Sequence, residues 1–413
     1  IMFDIFEGIH AFDDNGEDKG SIHDYTVPYM WGTMGIMYNP GYYKDIPEDE
    51  LHELMKDWDS LYGEQLSDSF SIKDSVRDSY AVSLIHTFGE EISNCTNNEE
   101  LTAIFNRNDA ETIAKVKADM EQLKKNAFGF ETDSGKTDMT TKKIGANMCW
   151  SGDATWAITE ARDLDLDLYY SIPTSHNGEE LKGASNIWSD CFCMPNNDSK
   201  YASEEEALRH YKLGEEFIKF MSTPEMAVQN CYCVGYTPAV GGNDMLDYMR
   251  SCYDVPTIKA DLEDYKVELE DAILNETNSK TKSKLQDELD EVISSLKEYD
   301  EIINTGDFCD YSLNYFYGDC GGDEIIHPSN DMAMRELKAQ YPSEEELDRL
   351  AIMNDFGTEG TMRVLDMWEQ VRTNSLPVWA IIVIILEAFA GISLGAYLIT
   401  KKIQRKKLKK ARY

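Results

Sequence analysis

Apolar residues recur at helical spacing through residues 109–126, where Ile113, Val116, Met120 and Leu123 fall on one stripe. That spacing predicts an amphipathic helix. Further helices are expected over 46–62, with Pro47 near the start, and from an N-cap at Asp74 to about Phe88. Others are expected at 153–162, 203–221, 224–231 and within 344–373. Between them lie short apolar runs bounded by turn residues, which read as strands: Ser69–Ile72, Ile144–Trp150, Leu168–Ile172 and the stretch around Trp188 closed by Pro195. Val27–Asn39 reads as an extended segment kinked at Gly32. Strands alternating with helices predict α/β layers.

Residues 257–303 break the alternation. Leu262, Tyr265, Leu269 and Ile273 form one stripe, and Leu285, Leu289, Val292 and Leu296 another, with a turn between Asn275 and Ser283. The pattern predicts a helical hairpin inserted into the globular part. It is either a solvated decoration or a surface for a partner. Residues 376–400 carry one charge, Glu387, and suffice to cross a hydrocarbon core of about 30 Å. The tail 401–413 holds eight Lys or Arg and no acid, the flank expected on the cytoplasmic side. Gly391 and Gly395 would permit a close helix contact. The predicted topology is a large extracytoplasmic part, one membrane helix and a short inner tail. The chain starts at Ile1 without a leader, so its N-terminus is expected to be incomplete or processed.

The 413 residues allow two or three domains, and 42% hydrophobic with 28% charged content is enough for a real core. The net charge of −38 repels nucleic acid phosphates and attracts cations. Nine cysteines include two C-x-C pairs, 191/193 and 231/233, not the C-x-x-C of zinc or redox sites. Most are read as small core residues. The seven histidines show no ligand spacing, and no phosphate-loop, zinc-protease, nucleophile-elbow or dinucleotide motif occurs. Neither an enzyme nor a metal or cofactor is expected.

Trp188 and Asp190 carry the most specific chemistry. Residues i and i+2 of a strand share a face, so an indole and a carboxylate project side by side. An indole face attracts an ammonium group and a carboxylate neutralises it. The plainer reading is a buried tryptophan beside a surface aspartate.

Five segments together resemble the polyamine (spermidine/putrescine) substrate-binding proteins of bacterial ABC transporters. They are VPYMWGTMGIMYN at 27–39, Lys73–Asp78, Met148–Asp153, the Trp188–Asp190 strand running into Met194-Pro195, and Ala207–Ser222 followed by Thr223-Pro224 and Gly235–Pro238. The resemblance implies a two-lobed, hinged, type II periplasmic-binding-protein-like α/β fold that closes over a ligand. It implies that Trp188 and Trp150 wall the polyamine chain, that Asp190 and Asp78 pair with its ammonium groups, and that Tyr236 lines the cleft. Ser75 stands where an Asp often occurs in the family, Asp74 is adjacent, and Met353 falls near a cleft Gln of some members. Trp31, Gly32 and Thr33 would form the hinge. About a hundred residues that precede the first crossover in the family are absent.

The implied organisation is a remnant of the first lobe and crossover over 1–39, a second lobe over 40–187, and a return to the first lobe over 188–244. C-terminal helices of the second lobe with the hairpin would span 245–375, then the membrane helix and tail. The implied function is polyamine capture for delivery to permease subunits, at the outer face of a cell membrane. Two alternatives remain. One is another small amine or solute, for which an anion would need Arg77. The other is a membrane-tethered sensor or scaffold that contacts a partner through the hairpin.

Overall fold

The computed structural model describes residues 9–12, 17–196, 200–318 and 324–373. The chain divides into two compact units after Val364, and the fold below belongs to the first. The predicted membrane helix, Cys320 and the basic tail lie outside the described residues. Among the described residues, no helix is long and apolar enough to cross a membrane.

One strand organises the molecule: β1, Val27–Tyr38. It is buried from Met30 onward, as its near-continuous apolar sequence requires. Around it lie β2 (Phe70–Lys73), β3 (Gly129–Glu131), β4 (Ala146–Trp150), β5 (Tyr169–Ser171), β6 (Ser185–Phe192), β7 (Thr237–Pro238) and β8 (Leu350–Ile352). The sheet runs β8-β6-β1-β4-β2-β3, with β5 and β7 also paired to β1. The first half of β1, up to Thr33, pairs antiparallel with β6 and β7. From Met34 onward it pairs with β4 and β5. The partners therefore change between Thr33 and Met34.

Each half of β1 has its own core. Trp31 packs in a cluster with Ile187, Ala227, Met245, Met249, Tyr317 and Tyr341. Met37 packs with Met139, Ile144, Cys149, Ile158 and Tyr170. The fold is thus α/β in two halves strung on one strand. Met245, Leu246, Met249, Tyr317, Ile326 and Tyr341, from the stretch 245–375, also belong to the Trp31 core. Their apolar side chains cover the face of β1 and β6 that would otherwise meet water.

The helices that matter below are α1 (Val76–Ser93), α2 (Ala110–Asn126), α3 (Ser151–Arg162), α4 (Glu204–Met221) and α5 (Pro224–Val234). They are followed by α6 (Asn243–Tyr253), α7 (Val255–Asn275) and α8 (Ser279–Thr305). Asp109 caps α2 by accepting from the amides of Glu111 and Thr112, and the predicted stripe buries Val116, Met120 and Leu123. The hairpin is α7 and α8, sealed by its own cluster of Leu269, Leu289 and Val292 with Leu262, Ile273, Leu285 and Leu296 around them.

Four expectations need correction. The helix over 46–62 is a helix only at Glu48–Leu54, followed by a 3₁₀ turn at Trp58–Tyr62. Asp57 is extended and accepts from the amide of Asp59, a local bond that competes with helix continuation. The cap position of α1 is Ser75, not Asp74. The Asp74 amide instead donates to the Glu131 carbonyl at 2.6 Å, which extends the β2–β3 pairing. There is no kink at Gly32, because β1 stays extended through it. Only Cys149 and Cys231 of the eight described cysteines are buried, all eight are free thiols, and Cys191, Cys193 and Cys233 are exposed.

Candidate functional site

The register of the sheet brings the predicted aromatic residues together. Trp188 on β6 lies opposite Gly32 of β1, and Trp150 at the end of β4 lies opposite Met34. Gly32 and Met34 are two apart, so they and their cross-strand partners share one face. The absence of a side chain at Gly32 is what admits the Trp188 ring, since a Cβ there would stand 2.6 Å from its Cζ2. Trp188 meets Trp150 edge-on at 6.5 Å between ring centres.

Tyr236 closes the other side. Helix α5 ends at Gly235 with φ 77°, a left-handed turn that glycine adopts at little cost, and Tyr236 leads directly into β7. Its ring packs against Gly152 at the start of α3 and lies 5.5 Å from Trp188. All three rings are half-buried. Burial first, then the negative charge of Asp153, to which it hydrogen-bonds, raises the Tyr236 hydroxyl well above its ordinary range.

Asp190 lies two residues beyond Trp188, opposite Met30 and just before a bulge in β6. It therefore shares the Trp188 face. The side chain is exposed, with no hydrogen bond or ion pair to its carboxylate among the described residues. Neighbouring protein mass raises its pKa, and its charge reaches Tyr29 and Tyr236. This is an open carboxylate beside an indole.

Asp78 is different. It is 6% exposed, and both oxygens are engaged. Oδ2 accepts from Trp150 Nε1 at 3.1 Å and from Ser75 Oγ at 2.6 Å, and Oδ1 accepts from Asn186 Nδ2 at 3.3 Å. Burial raises its pKa against the pull of these donors and of Arg77. In this arrangement Asp78 and Ser75 orient the Trp150 indole. Met353 is half-buried in the loop after β8. Arg77 is stacked on Phe356 at 3.6 Å and donates to the Asn354 carbonyl at 2.7 Å. Burial lowers its pKa to about 10, and Arg77 Nη1 is buried without an acceptor.

The expected hinge residues fall at the change of partners in β1. Trp31 is fully buried in the first core, and Gly32 underlies Trp188. The Thr33 amide donates to Ser151 Oγ at 3.2 Å, and its hydroxyl meets that of Tyr170 at 3.1 Å.

Sequence reasoning passed over an ion network beneath Trp150. Lys73 Nζ lies 4.2 Å from the Trp150 ring centre, 2.8 Å from Asp153 Oδ2 and 3.3 Å from Glu131 Oε1. Its side chain is 2% exposed. Lys136 reaches Asp153 Oδ1 at 3.2 Å. Trp150 already carries a protein cation on one face. Lys73 and Asp153 both stood inside conspicuous sequence blocks, but no spacing rule joins residues 80 apart. A further departure from expectation is Trp188 Nε1, which is buried without an acceptor.

The family described as bacterial extracellular solute-binding protein matches residues 4–242. The spermidine/putrescine-binding periplasmic protein of Salmonella typhimurium is 22% identical over 226 residues, which cover 54% of this chain and 52% of that protein. Its counterpart in Escherichia coli K12 is 21% identical over 225 residues, with the same coverage. The chain spans about half the length of these relatives. Among solved structures, a putative spermidine/putrescine ABC transporter from Listeria monocytogenes aligns with a TM-score of 0.48 at 17% identity, over 86% of this chain and 70% of that one.

Proposed function

We propose that this chain, which belongs to the bacterial extracellular solute-binding protein family, captures a polyamine between the Trp188, Trp150 and Tyr236 rings. The observation that carries the reading is Asp190: an unpartnered carboxylate on the same strand face as Trp188, beside two further aromatic rings. A polyamine is a thin apolar chain with ammonium groups at fixed separations. Rings can hold the chain at any point along it, while carboxylates select where its charges sit. A desolvated cation–aromatic contact contributes about 2 kcal/mol. In this reading the two halves of the fold act as the lobes of a type II binding protein. The ligand passes to the permease subunits of an ABC transporter. The apolar segment 376–400 tethers the receptor to the membrane with its basic tail inside.

One observation favours a second reading. The buried, unpartnered Trp188 Nε1 would be met by a hydrogen-bond acceptor, which a fully protonated polyamine lacks. A small amine that also carries a hydroxyl or carboxyl group would satisfy both Asp190 and that indole. Calorimetric titration with spermidine, putrescine and amino-acid-derived amines separates the two. Micromolar polyamine binding that falls at least about 30-fold in Trp188→Ala, and about tenfold or more in Asp190→Asn, supports the first. Polyamine affinity unchanged in both variants refutes the site.

A further inference from the structure

Far from the aromatic rings in sequence, two histidines and three aspartates converge. Asp57 and Asp59 come from the 3₁₀ turn after Leu54 and its cap, His86 from α1, Asp119 from α2, and His176 from a two-residue strand at Ser175–His176. Ligand atoms of Asp57, Asp59 and His176 all lie within 4.8 Å of one another. His86 Nε2 is 3.5 Å from Asp59 Oδ1, and His176 Nδ1 is 2.8 Å from the same oxygen.

The outer contacts are those that orient metal ligands. His86 Nδ1 bonds Asp119 Oδ1 at 2.6 Å, which leaves Nε2 directed to the cluster. The Asp119 carboxylate on its far nitrogen fixes the ring that faces Asp59, an outer-shell arrangement of the kind that orients metal ligands. Tyr62 stacks on the His86 ring at 3.7 Å and 4°, and its hydroxyl also donates to Asp119. The His176 ring sits directly against Gly89, where any side chain would collide with it. Backbone amides hold the carboxylates: Asn177 donates to Asp59 Oδ2, and Gly178 to Asp57 Oδ2, at 2.8 and 2.9 Å. Asp57, Asp59 and His176 are therefore fixed by groups that would remain bonded around an ion. The His176 Nε2 contact to Asn177 at 2.9 Å suits either tautomer, because the amide can present its nitrogen or its oxygen.

We propose that Asp57, Asp59 and His176 form a binding site for a divalent transition metal ion of the zinc class, with His86, itself held by Asp119, as a positioning residue for Asp59. The His176 imidazole departs from the all-oxygen preference of calcium and magnesium, and one nitrogen with two carboxylates suits zinc with its fourth position open. The ion would join the 57–59 turn to the strand Ser175–His176.

The test is zinc titration of the purified chain against a chromophoric chelator, with exposed thiols alkylated so that Cys191, Cys193 and Cys233 do not contribute. One equivalent should bind. His176→Gln should weaken binding about 100-fold, and His86→Gln and Asp119→Asn each about 10- to 100-fold, while calcium should not compete. Zinc-dependent NMR shifts of the His176 imidazole in the unmutated protein report the ligand without relying on any variant's folding. Absence of stoichiometric uptake, an unshifted His176 imidazole, or undiminished uptake in the folded His86→Gln/His176→Gln double variant overturns the assignment.

Discussion

Gly32 sets how close the rings of the candidate site can come. A methyl group there would meet the Trp188 ring at 2.6 Å and Ser151 Oγ at 2.7 Å, and Ser151 is the acceptor for the Thr33 amide. Neither neighbour is a loose chain end, because Trp188 is wedged between Trp150 and Tyr236. Gly32→Ala is expected to cost about 1–3 kcal/mol in urea unfolding, by overpacking, and to weaken ligand binding with it. A variant with unchanged stability and affinity would show that the rings are not held at this spacing. The pairing of Trp188 with Asp190 was legible from strand period alone. The different fates of two expected carboxylates were not. Asp190 is open and Asp78 is closed over by Trp150, Ser75 and Asn186, and only the approach of three separate elements decides that.

At the scale of elements, the hairpin was the most legible part of the chain, because its two heptad-like stripes seal against each other and need nothing else. Its base depends on one cap. Asp254 Oδ2 accepts from the Thr257 amide and hydroxyl, and Oδ1 accepts from the His327 amide at 2.8 Å. Burial raises the Asp254 pKa, but the bonds from Thr257 and His327 outweigh it, so the native value lies below 3.8. A carboxylate depressed in the native state adds stability above its unfolded pKa and loses it as the pH falls through the native one. Asp254→Ala should therefore destabilise by about 1 kcal/mol at neutral pH, and the gap between the two urea midpoints should shrink below pH 3.8. A gap that is independent of pH would remove the carboxylate from the argument. The 3₁₀ turn at Trp58–Tyr62 was misjudged as helix for the same kind of reason. An aspartate side chain bonding the backbone two residues on leaves no mark on hydrophobic periodicity. The histidine cluster was equally invisible, since its members span residues 57 to 176 and show no ligand spacing.

For the whole molecule, the α/β class followed from alternating elements, but the faces that the later helices cover did not. Met245, Met249 and Tyr341 join the Trp31 core while α7 and α8 seal against each other, and amphipathic helices do not state which sheet face they cover. The membrane proposal belongs to this scale too. The full chain should float with phospholipid vesicles, whereas a chain ending at Thr373 should remain in the aqueous fraction. Equal partitioning of the two would withdraw the tether. One consequence of the shared strand concerns reassembly. A nick at the exposed Leu164, beside Asp165 with φ 53°, separates β1 and β4 from β5, β6 and β7. Neither piece then owns a finished core, because Trp31 lies in the first and Ile187 and Tyr341 in the second. The two fragments would have to fold as one, which makes this chain a natural split reporter whose halves recover their structure, and the paired indoles of Trp150 and Trp188, only by meeting.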